Sequence, residues 1–157
     1  MSLAVHMKKI EKIAATIFFT CCAIFVFAQK NPDAIIGRWI AIPKKNIIVE
    51  VFKDKDKYKG KVVWFNDNDD KTKPMNTRLD ENNLDSALRN RKVLGLQVLN
   101  NMMYNSKSNR WEKGTIYDAK SGRVYNSSAS LIKDNTLLVK GFWHFEFIGK
   151  DMYFKKI

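Results

Sequence analysis

The sequence predicts an all-β fold, an antiparallel meander of about eight strands that closes into a barrel. Short apolar stretches alternate with turn-forming residues along most of the chain, as expected for consecutive strands. In the second stretch Ile47, Val49 and Val51 share one face, because side chains alternate along a strand. A meander of this length needs protected edges, and closure removes them. A two-sheet sandwich is the alternative.

The candidate strands follow one another with short connections. They span residues 37–42, 46–52, 58–65, 95–101, 110–117, 123–132, 136–142 and 152–157. Polar turns separate most of them, and the turn at 119–122 is the clearest. There Asp118 is expected to accept bonds from backbone amides. Gly122 is expected to adopt the left-handed conformation that closes a hairpin.

Residues 82–91, NNLDSALRNR, interrupt the strand pattern. Leu84, Ala87 and Leu88 recur at helical spacing, and Asn82 or Asn83 is placed to cap the first turn. We therefore predict one short helix lying over an end or side of the barrel.

The first 28 residues read as a signal peptide. A basic start at 7–12 precedes an apolar run at 13–27, and small residues, Val26 and Ala28, lie just before Gln29, which is the pattern of an export signal. The run is shorter than the roughly 20 residues of a membrane-spanning helix. An uncleaved anchor is the alternative. Residues 1–6 are interpreted as an extension before Met7.

The expected exported domain, residues 29–157, contains no cysteine, since Cys21 and Cys22 lie in the signal segment. It therefore cannot use disulfides or thiolate chemistry. The expected location is the periplasm or the exterior.

The charge balance favours acidic partners. The whole chain carries 28 Lys and Arg against 16 Asp and Glu, and residues 29–157 keep 25 and 15 of these, a net charge of +10. A basic surface attracts anionic lipid, acidic glycan or acidic protein. Nucleic acid is not expected, because the chain is expected to be exported and lacks a basic helix or an RNA-binding aromatic motif.

No metal, cofactor or catalytic residue is predicted. Residues 29–157 contain a single histidine, His144, and no cysteine, which excludes the usual zinc ligand sets. The acidic stretch 67–70 is expected to be a solvated turn, because Thr72 and Arg78 stand where a calcium loop needs glycine and glutamate. A carboxylate pair doing hydrolase chemistry is retained as a minor alternative.

Arg89 and Arg91 allow two interpretations. They could clamp a carboxylate or phosphate. Alternatively they support the end of the short helix, with Arg89 pairing to Asp85 four residues earlier, and this structural role is favoured.

The chain resembles two known groups of proteins. GRW at 37–39 is similar to the lipocalin signature. The wider pattern resembles DUF2147, a family of exported bacterial proteins: VEVF at 49–52, YKGKVVW at 58–64, DSALRNRKVLGL at 85–96, WEKGTIYD at 111–118, SGRVY at 121–125 and TLLVKG at 136–141.

This resemblance implies a lipocalin-like up-and-down barrel outside the cytoplasm, with no established reaction. It implies that Gly37 and Trp39 form a plug at the closed end, with Lys156 packed across the tryptophan. The chain departs from the family at Ala119, where proline is usual, and at Phe154 and Lys156, where tryptophan and arginine are usual.

The leading functional hypothesis is binding of a small, largely apolar ligand inside the barrel, with Arg89 and Arg91 holding an acidic head. An eight-stranded barrel is either filled by its side chains or holds one small ligand. The candidate lining residues are aromatic: Trp64, Tyr117, Tyr125, Phe142 and Trp143. The alternative is an envelope interaction module, a packed barrel whose basic surface docks an acidic protein or glycan. The oligomeric state is left open.

Overall fold

Eight antiparallel strands close into a barrel in sequence order. They are β1 Gly37–Ile42, β2 Ile47–Asp54, β3 Lys57–Phe65, β4 Gln97–Asn105, β5 Arg110–Asp118, β6 Arg123–Ile132, β7 Thr136–Phe142 and β8 Lys150–Lys156. The computed structural model describes residues 31–133 and 135–157. Asn31–Ile157 form one compact unit. The predicted signal peptide lies outside the described residues.

The predicted fold class is confirmed, and three of the eight strands have the predicted bounds. The predicted helix is shorter than expected. Only Ser86–Leu88 form a 3-10 turn, and the side chain that caps it belongs to Asp85, not to Asn82 or Asn83. With so short a turn, most of the segment between β3 and β4 is irregular.

A second 3-10 turn, Pro32–Ile35, seals one end of the barrel. Each of its four residues accepts a hydrogen bond from the side chain of a different strand. Trp111 Nε1 donates to the Pro32 carbonyl at 3.0 Å and Trp39 Nε1 to the Ile35 carbonyl at 2.8 Å. We call this the closed end.

The other two bonds come from β3 and β8. Tyr58 Oη donates to the Asp33 carboxylate at 2.6 Å, and Lys156 Nζ donates to the Ala34 carbonyl at 3.1 Å. The same ammonium lies 5.3 Å from the ring centre of Trp39, a cation–π distance. The structure thus places Trp39 and Lys156 together at the closed end, next to Gly37.

Two β-bulges decide which side chains enter the barrel. On β3, Trp64 pairs with Ile48 while Val62 pairs with the next residue, Val49, so Val63 is the extra residue. On β5 the register shifts between Trp111 and Gly114. Each shift exchanges the inward and outward faces beyond it. Trp64 consequently points outward, although Val62 points into the core.

Side chains fill the interior of the barrel. Nine apolar residues surround a cavity of only about 30 Å³, about twice the least volume that holds one water molecule. They are Trp39, Val49, Val51, Val98, Leu99, Ile116, Leu137, Val139 and Phe154. Ligand pockets usually exceed about 300 Å³, so the part of the barrel near the closed end is packed.

Trp39→Phe should lower the free energy of unfolding by about 2–4 kcal/mol, because it opens a cavity and leaves the buried Ile35 carbonyl without a donor. Urea unfolding followed by circular dichroism measures this change. Trp64→Phe is the matched control, since Trp64 is 36% exposed on the outer face, and its cost should stay below about 1 kcal/mol. If the two variants lost the same free energy of unfolding, the proposed stabilising role of Trp39 at the closed end would be contradicted.

Candidate functional site

The opposite end of the barrel, the open end, is formed by four connections: residues 43–46, 66–96, 119–122 and 143–149. Antiparallel strands in sequence order bring these four to the same end. The longest, 66–96, is held against the β5–β6 hairpin. Asn82 Nδ2 donates to the Lys120 carbonyl at 3.2 Å. Gly122, with φ of +70°, lies so close to Asn82 that a Cβ atom would clash with its carbonyl oxygen.

Within the described residues, the hairpin turn is organised by Asp118. Its carboxylate accepts from the Lys120 amide at 3.0 Å and from the Ser121 hydroxyl at 2.7 Å. The Gly122 amide donates to the Asp118 carbonyl at 2.8 Å. Both predicted turn residues therefore act in the turn itself, which aligns β5 with β6.

A buried polar cluster, which we call the Asp80 cluster, connects segment 66–96 to β5. The Asp80 carboxylate is inaccessible to solvent. It accepts from Tyr117 Oη at 2.6 Å, Asn83 Nδ2 at 2.9 Å and Arg91 Nε at 2.8 Å. The Arg91 guanidinium also lies 5.0 Å from the ring centre of Tyr117. A buried carboxylate is tolerated when it is paired and hydrogen-bonded, and Asp80 meets both conditions.

The cluster fixes the ionisation of Tyr117 as well as its position. Burial raises the pKa of the Tyr117 hydroxyl above its ordinary value, and the neighbouring Asp80 carboxylate adds to the increase. The neutral phenol is therefore favoured, and it donates to Asp80. These contacts hold segment 66–96 against β5.

Arg89 and Arg91, the two arginines predicted to bind a ligand, make structural contacts in or beside the Asp80 cluster instead. Arg91 is paired with Asp80. Arg89 Nε donates to the Asn83 carbonyl at 2.7 Å, and no described contact links it to Asp85. The expected helix pairing is therefore replaced by a backbone contact, because the chain makes only a single 3-10 turn there. The structure does not direct either guanidinium toward the barrel interior.

The most exposed apolar surface at the open end is the connection from β7 to β8. We call residues 143–148, WHFEFI, the aromatic loop. Its rings follow one another in space. The distance between ring centres is 6.3 Å from Trp143 to His144, 6.5 Å from His144 to Phe145 and 5.6 Å from Phe145 to Phe147. Trp143 is 57% exposed and Phe147 is 82% exposed, which is unusual for such large apolar side chains.

Glu146 anchors the aromatic loop to the outer wall of the barrel. Its carboxylate accepts from the Ser128 hydroxyl at 2.6 Å and from the Arg110 guanidinium. Burial raises the pKa of Glu146, but the bonds from Ser128 and Arg110 outweigh it, so that the net pKa lies below the ordinary value. The charged carboxylate is thus the favoured form near neutral pH.

The loop forms an open pocket of about 310 Å³ lined by Trp143, His144, Phe145 and Ile148. Trp143 also meets Tyr125 edge-to-face, with ring centres 5.6 Å apart. Tyr125 pairs in the sheet with Ile116, which lines the small interior cavity. Adjacent apolar side chains therefore form a path of contacts from the pocket to the interior.

The structure brings together two of the five predicted lining residues, Tyr125 and Trp143. Tyr117 is on the outer face, because the bulge on β5 directs Ile116 inward. Phe142 is also on the outer face. Leu137 and Val139 of β7 point into the core, and because side chains alternate along a strand, Phe142 points outward. With Trp64 outside as well, these three do not form an interior lining.

Sequence reasoning missed Asp80, Glu146 and Ser127. The signals for Asp80 and Glu146 were weak, since single carboxylates in loops are common. Ser127 lies on the inward face of β6 between Gly114 and Gly141. Its hydroxyl is buried without a hydrogen-bond partner among the described residues. Such groups are uncommon in native structures.

In residues 31–133 and 135–157, no group of three acidic or histidine side chains is arranged to hold a metal. The acidic stretch 67–70 is engaged by protein donors: Arg78 pairs with Asp69 at 2.8 Å, and the Met75 amide donates to Asp67 at 2.7 Å. No helix in the same residues has the length and apolar character to cross a bilayer.

Tyr117→Phe should lower the free energy of unfolding by about 1–3 kcal/mol near neutral pH, because Asp80 stays buried with one donor fewer. Its pH dependence should also change. Folding raises the pKa of Tyr117 above its ordinary value of 10.0. The stability that the neutral hydroxyl contributes is therefore complete below pH 10.0, and it is lost as the pH rises through the raised pKa. The variant should therefore lose less stability than the wild type between about pH 9 and about pH 11.

Urea unfolding across that pH range measures both effects. Some alkaline loss should persist in the variant, since burial also raises the pKa of Tyr58. Tyr125→Phe is the control, because no hydrogen bond to its hydroxyl occurs among the described residues. If the stability of Tyr117→Phe fell with rising pH just as that of the wild type does, the proposed contribution of the Tyr117 hydroxyl would be contradicted.

Comparison with known proteins agrees with this architecture. A solved structure described as "Protein HP1028 from the human pathogen Helicobacter pylori belongs to the lipocalin family" aligns with a TM-score of 0.65 and 18% identity, over 78% of this chain and 82% of that chain. At this identity the likeness shows the fold alone. None of the curated proteins matches. The family described as "Uncharacterized protein conserved in bacteria (DUF2147)" matches residues 37–156. With its lipocalin-like barrel, the chain belongs to the DUF2147 family.

Proposed function

We propose that the protein binds one small, largely apolar ligand at the open end of its barrel, in the pocket of the aromatic loop. The lipocalin-like fold is consistent with small-ligand binding. The observation that carries the proposal is the pocket of about 310 Å³ lined by Trp143, His144, Phe145 and Ile148. It lies at the mouth of a barrel whose interior is otherwise filled.

Size favours the rim over the interior. Ligand pockets usually measure about 300–1,000 Å³. The rim pocket reaches the lower end of this range, whereas the interior cavity of about 30 Å³ is an order of magnitude smaller. The ligand is therefore small, and its main contacts are with the aromatic loop rather than with the residues around Trp39.

The apolar path from the pocket supports entry of one end of the ligand into the barrel mouth. Gly141 faces Ile116 and Tyr125 there, and a Cβ atom at Gly141 would stand 3.2 Å from the Ile116 side chain. The absent side chain keeps space next to these two residues. The unpartnered Ser127 hydroxyl lies beside Gly141, and it offers the mouth a polar group for a ligand atom.

An acidic head held by Arg89 and Arg91 is not part of the proposal. Arg91 is already paired with Asp80, and Arg89 donates to the backbone of Asn83. The specificity that we propose rests on apolar area and aromatic stacking.

Ligand binding is tested by native mass spectrometry and fluorescence titration of residues 29–157 with medium-chain fatty acids and small aromatic hydrocarbons. We expect one bound molecule per chain. Tyr125→Ala and Trp143→Ala should each weaken the affinity at least about ten-fold, because each removes a large part of the stacked aromatic surface.

Phe147→Ser is the matched control, since Phe147 does not line the pocket, and its affinity should match the wild type. Absence of any uptake from the panel, or equal affinity in all three variants, would contradict the proposal. Thermal unfolding of each variant shows whether a weaker affinity comes from the changed pocket or from unfolding of the protein.

A further inference from the structure

We propose that the open end docks on an anionic lipid surface, with the aromatic loop inserted at the level of the headgroups. This inference does not rest on ligand binding, because the residues that carry it are the exposed tip of the loop and the cations beside it.

Three apolar side chains of the loop are exposed to solvent within the described part of the chain. Phe147 is 82% exposed, Ile148 is 72% exposed and Phe145 is 60% exposed. They are neighbours in sequence, and Phe145 and Phe147 are also in ring contact. Contiguous exposed apolar groups of this kind mark interaction surfaces rather than ordinary protein surface. Trp143 at the base of the loop is the residue type that concentrates at the membrane–water interface.

The loop has a defined position against the outer wall of the barrel. β7 and β8 are still paired at Gly141 and Lys150, so the chain between them must turn back over a short distance. Glu146 holds the middle of the loop to Ser128 and Arg110 on the outer wall. Asn126 Nδ2 donates to the Trp143 carbonyl at 2.8 Å. The exposed rings therefore belong to an ordered structure and need little rearrangement on binding.

Cations border the aromatic loop on both sides. β8 pairs with β1, which brings Lys44 and Lys45 of the first connection to one side. β7 pairs with β6, which brings Lys120 and Arg123 of the hairpin turn to the other side. Lys150 follows the loop directly. All five side chains belong to exposed residues, and none forms an ion pair within the described part of the chain.

The acidic residues nearby are already engaged. Glu146 is paired with Arg110, and Asp151 is paired with Lys140 at 3.1 Å. The Asp118 carboxylate accepts bonds within its own turn. Among the described residues bordering the loop, five unpaired cations against the one uncompensated carboxylate, Asp118, leave its surroundings with a net positive charge, which complements the negative surface of an anionic bilayer. Exposed apolar rings flanked by lysine and arginine are the composition of interfacial anchors.

A protein partner fits these observations less well. Stable protein interfaces usually involve about 20–30 residues on each side, whereas the exposed apolar group comprises only three side chains. A lipid surface needs no matching shape, and it accommodates exposed apolar rings bordered by cations. The proposal therefore commits to lipid, and binding of a second protein chain is an outcome that the experiment detects.

The experiment measures partitioning of residues 29–157 onto large unilamellar vesicles by co-sedimentation. This segment contains all eight strands and the entire core, and it omits the apolar run at 13–27, which would bind lipid by itself. Vesicles of phosphatidylethanolamine with phosphatidylglycerol are compared with vesicles of phosphatidylcholine. We expect at least ten-fold stronger partitioning onto the anionic vesicles, and weakening as salt is raised.

Variants separate the apolar and the electrostatic contributions. Phe147→Ser should reduce partitioning at least five-fold on both kinds of vesicle. Ile132→Ser, an exposed apolar residue near the closed end, is the matched control and should bind as the wild type does. The double variant Lys44→Ser and Lys45→Ser should reduce binding to anionic vesicles alone. Brominated lipid should quench Trp143 fluorescence, and this quenching should disappear in Trp143→Phe.

Several results would overturn the proposal. They are vesicle binding unaffected by Phe147→Ser, equal binding to the two vesicle compositions, and absence of the Trp143 quenching. Self-association that depends on Phe147, without vesicle binding, would assign the loop to an interface between two copies of the chain. Because Phe147→Ser leaves the ligand pocket intact, failure here does not affect the proposed ligand binding, and failure of ligand binding does not affect this result.

Discussion

The hydrogen bonds that hold Pro32–Ile35 under the closed end are the constraint on which the rest of the structure depends. Trp111, Tyr58, Lys156 and Trp39 come from four different strands, and each binds one residue of this turn. Strands that are far apart in the sequence are thereby fixed in one register. Two buried indole N–H groups and a buried phenol find acceptors in this way, although leaving such groups unpaired would cost about 1–3 kcal/mol each. Because β1 pairs with β8 at Trp39 and Lys156, the same residues that seal the end also close the barrel.

Closure at one end explains why open space and exposed apolar surface are at the other. The interior is used for stability, with side chains filling it down to a cavity of about 30 Å³. Space and exposed apolar surface occur at the open end instead, around the aromatic loop. The Asp80 cluster holds segment 66–96 against β5, so the longest connection is fixed to the hairpin wall. A lipocalin-like fold therefore carries in this chain a packed barrel and a structured rim.

The sequence predicted the strands well and the facing of their side chains less well. Alternation over six to ten residues is a strong signal, and each of the eight predicted strands has an observed counterpart. A bulge reverses the inward and outward positions beyond it, and nothing in a single sequence marks Val63 as an extra residue. Trp64 and Tyr117 were predicted to line the interior because they are aromatic, and the bulges on β3 and β5 place both on the outer face. The Asp80 cluster was out of reach for another reason, since Asp80 and Tyr117 are 37 residues apart and their contact depends on the completed barrel.

The aromatic loop is the place where the structure departs most clearly from what stability alone would favour. Burying a phenylalanine or isoleucine side chain contributes about 1.5–3 kcal/mol, and the loop forgoes most of this at Phe145, Phe147 and Ile148. Packing these rings against the barrel wall would bury them and gain that free energy. Glu146 opposes that packing, because its carboxylate is held by Ser128 and Arg110 and its lowered pKa keeps it charged. The polar residue in the middle of WHFEFI thus occupies the wall position, and the apolar residues on either side of it are held in solvent.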